Sequence, residues 1–223
     1  MPTPEQRIEI EVPSGAVTGA LAVPRGAIAT LALAHGAGGT LDSPFLSGFT
    51  RALNDEKVAT LRFNFRYSET GRRSPDPERV LREVWIAAFA AAGRLGKRKP
   101  VFVGGKSLGG RIASMCTADG EIDPAGVVFV GYPLHPPGKP EKVRDAHLGA
   151  IEVPMLFLQG TADPFARSEV LAPVLRRLGK RAVYVPVDGG DHSFRVKGAK
   201  RDDREIGAGL AEPTAAFVRE VVG

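Results

Sequence analysis

Cysteine is almost missing from this chain. Cys116 is the only one in 223 residues, which excludes an internal disulfide framework and any cysteine-rich zinc site and fits a reducing compartment. Long apolar runs are missing too. The N-terminus MPTPEQRIEIEV is polar and charged where a secretory signal needs an uninterrupted apolar segment, and no later run approaches membrane-spanning length. A soluble, cytoplasmic protein with no membrane partner is therefore expected. Base-stacking aromatics are scarce among the basic residues. The net charge of +5 comes in short groups, Arg72-Arg73, Lys97-Arg98-Lys99 and Lys200-Arg201, separated by acids, the pattern of a solvated surface and not of a nucleic-acid-binding face. Internal repeats and low-complexity tracts are absent, and 223 residues suffice for one well-buried core, so one compact domain spanning 1–223 is expected. The oligomeric state is not encoded in any pattern of this kind.

What is present is an alternation. Ile8 to Val12 and Val17 to Val23 flank Pro13-Ser14-Gly15 and read as an antiparallel hairpin. Thr30 to Ala34, Val58 to Phe63, Val101 to Gly104, Val127 to Gly131, Met155 to Leu158 and Ala182 to Val187 are short apolar runs, as in strands buried on both faces. Helical spacing fills the gaps at Pro44 to Leu53, Pro77 to Leu95, Ser107 to Ala118, Glu169 to Leu178 and Glu212 to Val222. Such an order predicts an α/β fold, a doubly wound and mostly parallel sheet preceded by an N-terminal antiparallel hairpin, with ligands beyond the carboxyl ends of its strands.

Gly105-Lys106-Ser107-Leu108-Gly109 fits GxSxG and falls where the strand Val101-Phe102-Val103-Gly104 meets a helix. A serine at that junction is forced into a strained conformation that exposes its hydroxyl, and the flanking glycines relieve crowding. The bland alternative is an ordinary glycine-rich turn. A phosphate-binding loop fails, because GxxxxGKS needs glycine at position 100, which is Pro100, and a flexible loop where this chain has strand residues. A serine hydroxyl becomes nucleophilic only when an imidazole takes its proton and a carboxylate fixes the imidazole's tautomer. Candidates are His35, His135, His147 and His192, with Asp163, Asp188 and Asp191 as acids.

Taken together, HGAGG, GKSLGG, QGTADPF and GGDHSF resemble the α/β-hydrolase superfamily from about Leu31 to the C-terminus. The resemblance implies the chain order nucleophile, acid, histidine, on loops after successive late strands. It selects Ser107 as nucleophile, His192 as general base and Asp163 as the orienting acid, with Asp188 and Asp191 as substitutes; a turn aspartate before Pro164 is the competing reading of Asp163. It also implies an oxyanion hole built from the backbone N–H groups of Leu108 and Ala37, and leaves His35 a structural role in the HGAGG turn. Neither metal nor organic cofactor is implied.

More narrowly, Phe63-Asn64-Phe65-Arg66-Tyr67 with Gly71-Arg72-Arg73, and Gly131-Tyr132-Pro133-Leu134-His135-Pro136-Pro137-Gly138-Lys139-Pro140, are similar to dienelactone-hydrolase-like proteins and the KANL3/Tex30-like predicted hydrolases. Only the proline-rich stretch from Tyr132 to Ile151 stands where many relatives carry a helical lid, which implies a minimal lid or none and a small acyl substrate: an ester, thioester, lactone or amide. Lys106, Arg66, Tyr132 and His135 are candidate substrate-binding residues, with His147, Arg72 and Arg73 behind them; solvated or structural roles compete for each. A catalytically silent binding protein on the same fold, or a serine peptidase, are the alternative functions.

Overall fold

A computed structural model describes residues 3–136 and 138–223. Eight strands form one sheet in the order β1-β2-β4-β3-β5-β6-β7-β8. β1 (Glu5–Val12) and β2 (Gly15–Ala22) are the antiparallel hairpin, and β2 joins β4 (Val58–Phe63) antiparallel. β3 (Ala29–Ala34), β4, β5 (Val101–Lys106), β6 (Gly126–Val130), β7 (Met155–Gly160) and β8 (Ala182–Val187) run parallel. The chain lays β4 on one side of β3 and then crosses back to lay β5 on the other, so the order reverses at β3. Crevices that take ligands open at such a switch, beyond the carboxyl ends of the strands.

Alternation along the central strands sends side chains to two cores. Ala32, Ala34, Val103, Phe129 and Phe157 face α3 (Glu78–Leu95), α4 (Leu108–Ala118) and α5 (Ser168–Leu178). Leu31, Leu33, Phe102, Val128 and Leu156 face α1 (Pro44–Asp55), α6 (Asp203–Ala208) and α7 (Ala211–Val222). A one-turn helix, α2 (Arg66–Glu69), follows β4. The parallel strands from β3 to β7 are buried along nearly their whole length, as their apolar runs predict. β8 is not: Tyr184 and Pro186 are exposed because it is the sheet edge, where a proline costs no ladder bond.

α1 and α6 approach backbone to backbone. A Cβ on Gly207 would lie 2.1 Å from the Phe45 carbonyl oxygen, and one on Gly48 2.0 Å from that of Arg204. α6 starts with a capping box in which the Asp202 carboxylate accepts from the Glu205 N–H and Glu205 accepts from the Asp202 N–H. Between β6 and β7 the described residues contain a single 3-10 turn, Ala146–Ala150, and no α-helix, so no lid covers the strand ends. Among the described residues no helix is long and apolar enough to cross a membrane.

Candidate active site

Ser107 closes β5 and caps α4 with φ 50° and ψ −112°, a left-handed conformation that costs a non-glycine residue on the order of 1 kcal/mol or more. Close packing holds it there. A Cβ on Gly105 would stand 2.7 Å from the Ala34 carbonyl oxygen, and one on Gly109 2.6 Å from the same atom, so only glycine at both positions lets the turn press against the end of β3. On the other side the Trp85 indole, buried in α3, donates to the Gly109 carbonyl at 3.1 Å.

His192 and Asp163 arrive on the loops after β8 and β7. His192 Nε2 lies 2.8 Å from Ser107 Oγ, and His192 Nδ1 lies 2.7 Å from Asp163 Oδ2. The carboxylate is fully buried and takes two further donors, Gln159 Nε2 to Oδ2 at 2.5 Å and the Phe165 N–H to Oδ1 at 2.8 Å. Gln159 is itself fixed, because its Oε1 accepts from the Tyr132 N–H at 2.8 Å. With acceptor oxygen facing Nδ1, the imidazole proton belongs on Nδ1 and Nε2 is left as an acceptor for the serine hydroxyl. The Phe165 ring lies over the imidazole with centroids 4.3 Å apart. Asp191 and Asp188 do not enter this line: Asp191 Oδ1 accepts the N–H groups of Ser193 and Arg195, and Asp188 is exposed.

The HGAGG turn forms the opposite wall. His35 Nε2 accepts from the Phe65 N–H at 3.1 Å, which places the proton on Nδ1, 2.8 Å from the Gly36 carbonyl oxygen. Burial lowers its pKa and keeps it neutral. His35 is thus a strut that sets the turn, while the backbone of Gly36 lies against Ser107. Ala37 lines the cavity beside Ser107, and Leu108 starts α4, where the first N–H groups have no acceptor within the helix.

A cavity of about 390 Å³ opens over Ser107 and is walled by Phe45, Leu46, Phe165 and the stem of Lys106, with Ser43, Ser193 and Asp203 at its rim. The structure does not bring Arg66, Tyr132 or His135 to it. The Arg66 guanidinium donates to the Ala16 carbonyl in the β1–β2 hairpin, and Tyr132 is buried against Phe129 with its hydroxyl on the Arg144 carbonyl. His135, fully buried, accepts from the Arg167 N–H. His147 pairs with buried Ser114, and Arg72 with Asp76. Each side chain meets a local partner, and none is left to face the cavity. Lys106 does line it, but its ammonium donates to the His192 carbonyl at 2.5 Å. Gln159 and Phe165 were not singled out from the sequence; the signal for both was their place inside QGTADPF.

A family model described as an alpha/beta hydrolase domain matches residues 27–219. The chain belongs to that alpha/beta hydrolase family. Among solved structures it is similar to a dienelactone hydrolase from Anabaena variabilis, at 20% identity and a TM-score of 0.77, over 99% of both chains. An α/β serine hydrolase without a lid from Xanthomonas campestris is 18% identical with a TM-score of 0.73, over 100% of this chain and 95% of that one. The esterase domain of a Rhodothermus marinus protein is 17% identical with a TM-score of 0.74, over 99% of this chain and 100% of that one. At these identities the three support the fold of this alpha/beta hydrolase, and its chemistry has to be argued from its own residues.

Proposed function

We propose that the protein is a serine hydrolase that cleaves a carboxylic ester, thioester or related acyl bond through an acyl-Ser107 intermediate. One observation carries the reading: an unbroken line from Ser107 Oγ to His192 Nε2 at 2.8 Å and from His192 Nδ1 to Asp163 Oδ2 at 2.7 Å, at the floor of a cavity without a lid. His192 takes the hydroxyl proton as Ser107 Oγ bonds to the acyl carbon, and Asp163 stabilises the imidazolium that forms. The Leu108 and Ala37 N–H groups hold the oxyanion. Collapse of the adduct breaks the bond to the leaving group, which departs with the proton from His192. Water then repeats the sequence and frees the acid.

The cavity is small for a ligand site, and its apolar walls Phe45, Leu46 and Phe165 suit a short neutral acyl group. A fluorophosphonate probe tests the reading. Labelling of the wild type mapped to Ser107, and lost in Ser107→Ala, is expected, together with turnover of short-chain esters, lactones or thioesters. Folded wild-type protein that takes no label would sink the proposal in favour of a noncatalytic binding protein.

A further inference from the structure

We propose that Lys106 is a positioning residue of this site: its ammonium, anchored on the carbonyl oxygen of His192, clasps the loop that carries the imidazole and sets the approach of Nε2 to Ser107. The inference rests on the serine-hydrolase reading above. Lys106 is joined covalently to the nucleophile and bonds at 2.5 Å to the residue that bears the base, so one side chain spans the two reacting partners. His192 is then pulled at two points, by Asp163 through Nδ1 and by Lys106 through its main chain, which fixes the residue in both rotation and translation.

The surroundings are shaped for the ammonium. Gly131, at the end of β6, has φ 70°, and a Cβ there would stand 3.2 Å from Lys106 Nζ and 3.3 Å from the His192 carbonyl oxygen. Phe194 holds an unfavourable φ of 63°, lies 5.7 Å from Nζ by its ring centroid, and stacks on Phe45 across the cavity wall. A bulky residue in that conformation needs the loop to be held from outside. The titratable groups facing Lys106 are Asp163 on the loop after β7 and Asp191 and His192 on the loop after β8, with His35 and Asp203 on the cavity walls. Burial is the largest influence and lowers the lysine pKa to about 8, against the opposing pull of Asp163 and Asp191. The clasp is therefore charge-assisted below that pH and weakens to a neutral amine's bond above it.

Lys106→Met keeps the stem that lines the cavity and removes the ammonium. With a short-chain ester, kcat should fall about 10- to 100-fold while KM changes by less than about threefold. The wild-type kcat profile should descend above a pH of about 8, and the variant should lose that descent. Lys106→Cys alkylated with bromoethylamine rebuilds an amine of nearly the original length, and buried Cys116 is shielded from the reagent; most of kcat should return. An unchanged kcat and pH profile in Lys106→Met, beside an inactive Ser107→Ala, overturns the clasp and leaves the serine-hydrolase reading standing. Undiminished hydrolysis by Ser107→Ala overturns that reading itself. Should Lys106→Met fail to fold, the wild-type profile and the alkylated variant decide: no alkaline descent and no rescue overturn the clasp.

Discussion

Asp163→Asn exchanges one oxygen for an amide nitrogen, and the hydrogen bonds around it leave the new group no good orientation. Oδ1 already accepts the Phe165 N–H at 2.8 Å, so the amide nitrogen must take the place of Oδ2, facing His192 Nδ1 and Gln159 Nε2. Gln159 cannot turn its oxygen toward it without abandoning the Tyr132 N–H. One donor-to-donor contact therefore stays buried, at a cost of about 1–3 kcal/mol, or a loss of roughly 2–12 °C in Tm for a chain of this size. Meanwhile Nδ1 becomes an acceptor and the imidazole proton moves to Nε2, where it blocks proton transfer from Ser107. A wrong tautomer of this kind costs about 10⁴-fold in kcat, or about 5 kcal/mol. A thermal melt measures the first effect, and steady-state hydrolysis of a chromogenic short-chain ester at pH 7 the second. Retention of more than about a tenth of wild-type kcat would refute the assignment of Asp163 as the orienting acid.

Ser107→Gly should remove the backbone strain along with the nucleophile: Tm should rise, by about 2–4 °C for each kcal/mol relieved, while fluorophosphonate labelling disappears, and a lower Tm would show that the turn holds no strain. Gly207→Ala forces a methyl group against the Phe45 carbonyl oxygen. It should cost about 1–3 kcal/mol and, by moving Phe45 and Leu46, raise KM; an unaltered melt and KM would mean that this contact does not hold the cavity wall. Tyr132→Phe loses the bond to the Arg144 carbonyl and should lower stability by about 0.5–1.5 kcal/mol with KM unchanged, as should Arg66→Ala. A rise in KM of about tenfold in either would return that residue to substrate binding.

The central strands were readable because each is a short apolar run buried on both faces, and the mostly parallel, doubly wound class followed from strand and helix alternating, whereas the strand order is seen only in the structure. β8 misleads for a physical reason: AVYVPV is as apolar as its neighbours, but it ends the sheet, and position in a sheet is not written in a strand's own composition. α2 and α6 went unread because four and six residues are too few to show helical periodicity. Only the Asp202 to Glu205 capping pair marked α6, without a helical-length apolar run behind it. Ser107, Asp163 and His192 were legible because each sits just past the carboxyl end of a strand, where parallel register brings distant segments together. Gln159 supports Asp163 only once β6 and β7 lie side by side, and Phe165 covers the imidazole only once the β7 and β8 loops meet; neither neighbour is adjacent in sequence.

Where a side chain of an irregular segment points is the least legible feature, and it bears on the substrate. The arginines after β4 were candidates to hold a substrate carboxylate, as a dienelactone-type substrate requires. Arg66 instead ties α2 to the hairpin, and Arg72 is paired with Asp76. Arg73 runs along the outside of the HGAGG turn near Gly38, and it is not among the residues that wall the cavity. Among the described residues the lysine or arginine on the cavity wall is Lys106, whose ammonium is held on the His192 carbonyl, and the acid at the rim, Asp203, is paired with Arg195 through Nε and Nη2. Charge inside the site is thus committed to holding the site, and the walls that remain are the apolar side chains of Phe45, Leu46 and Phe165. On the proposed serine-hydrolase reading, a neutral short-chain ester is therefore expected to be turned over in preference to one with an anionic acyl group, and comparison of kcat/KM for the two checks it.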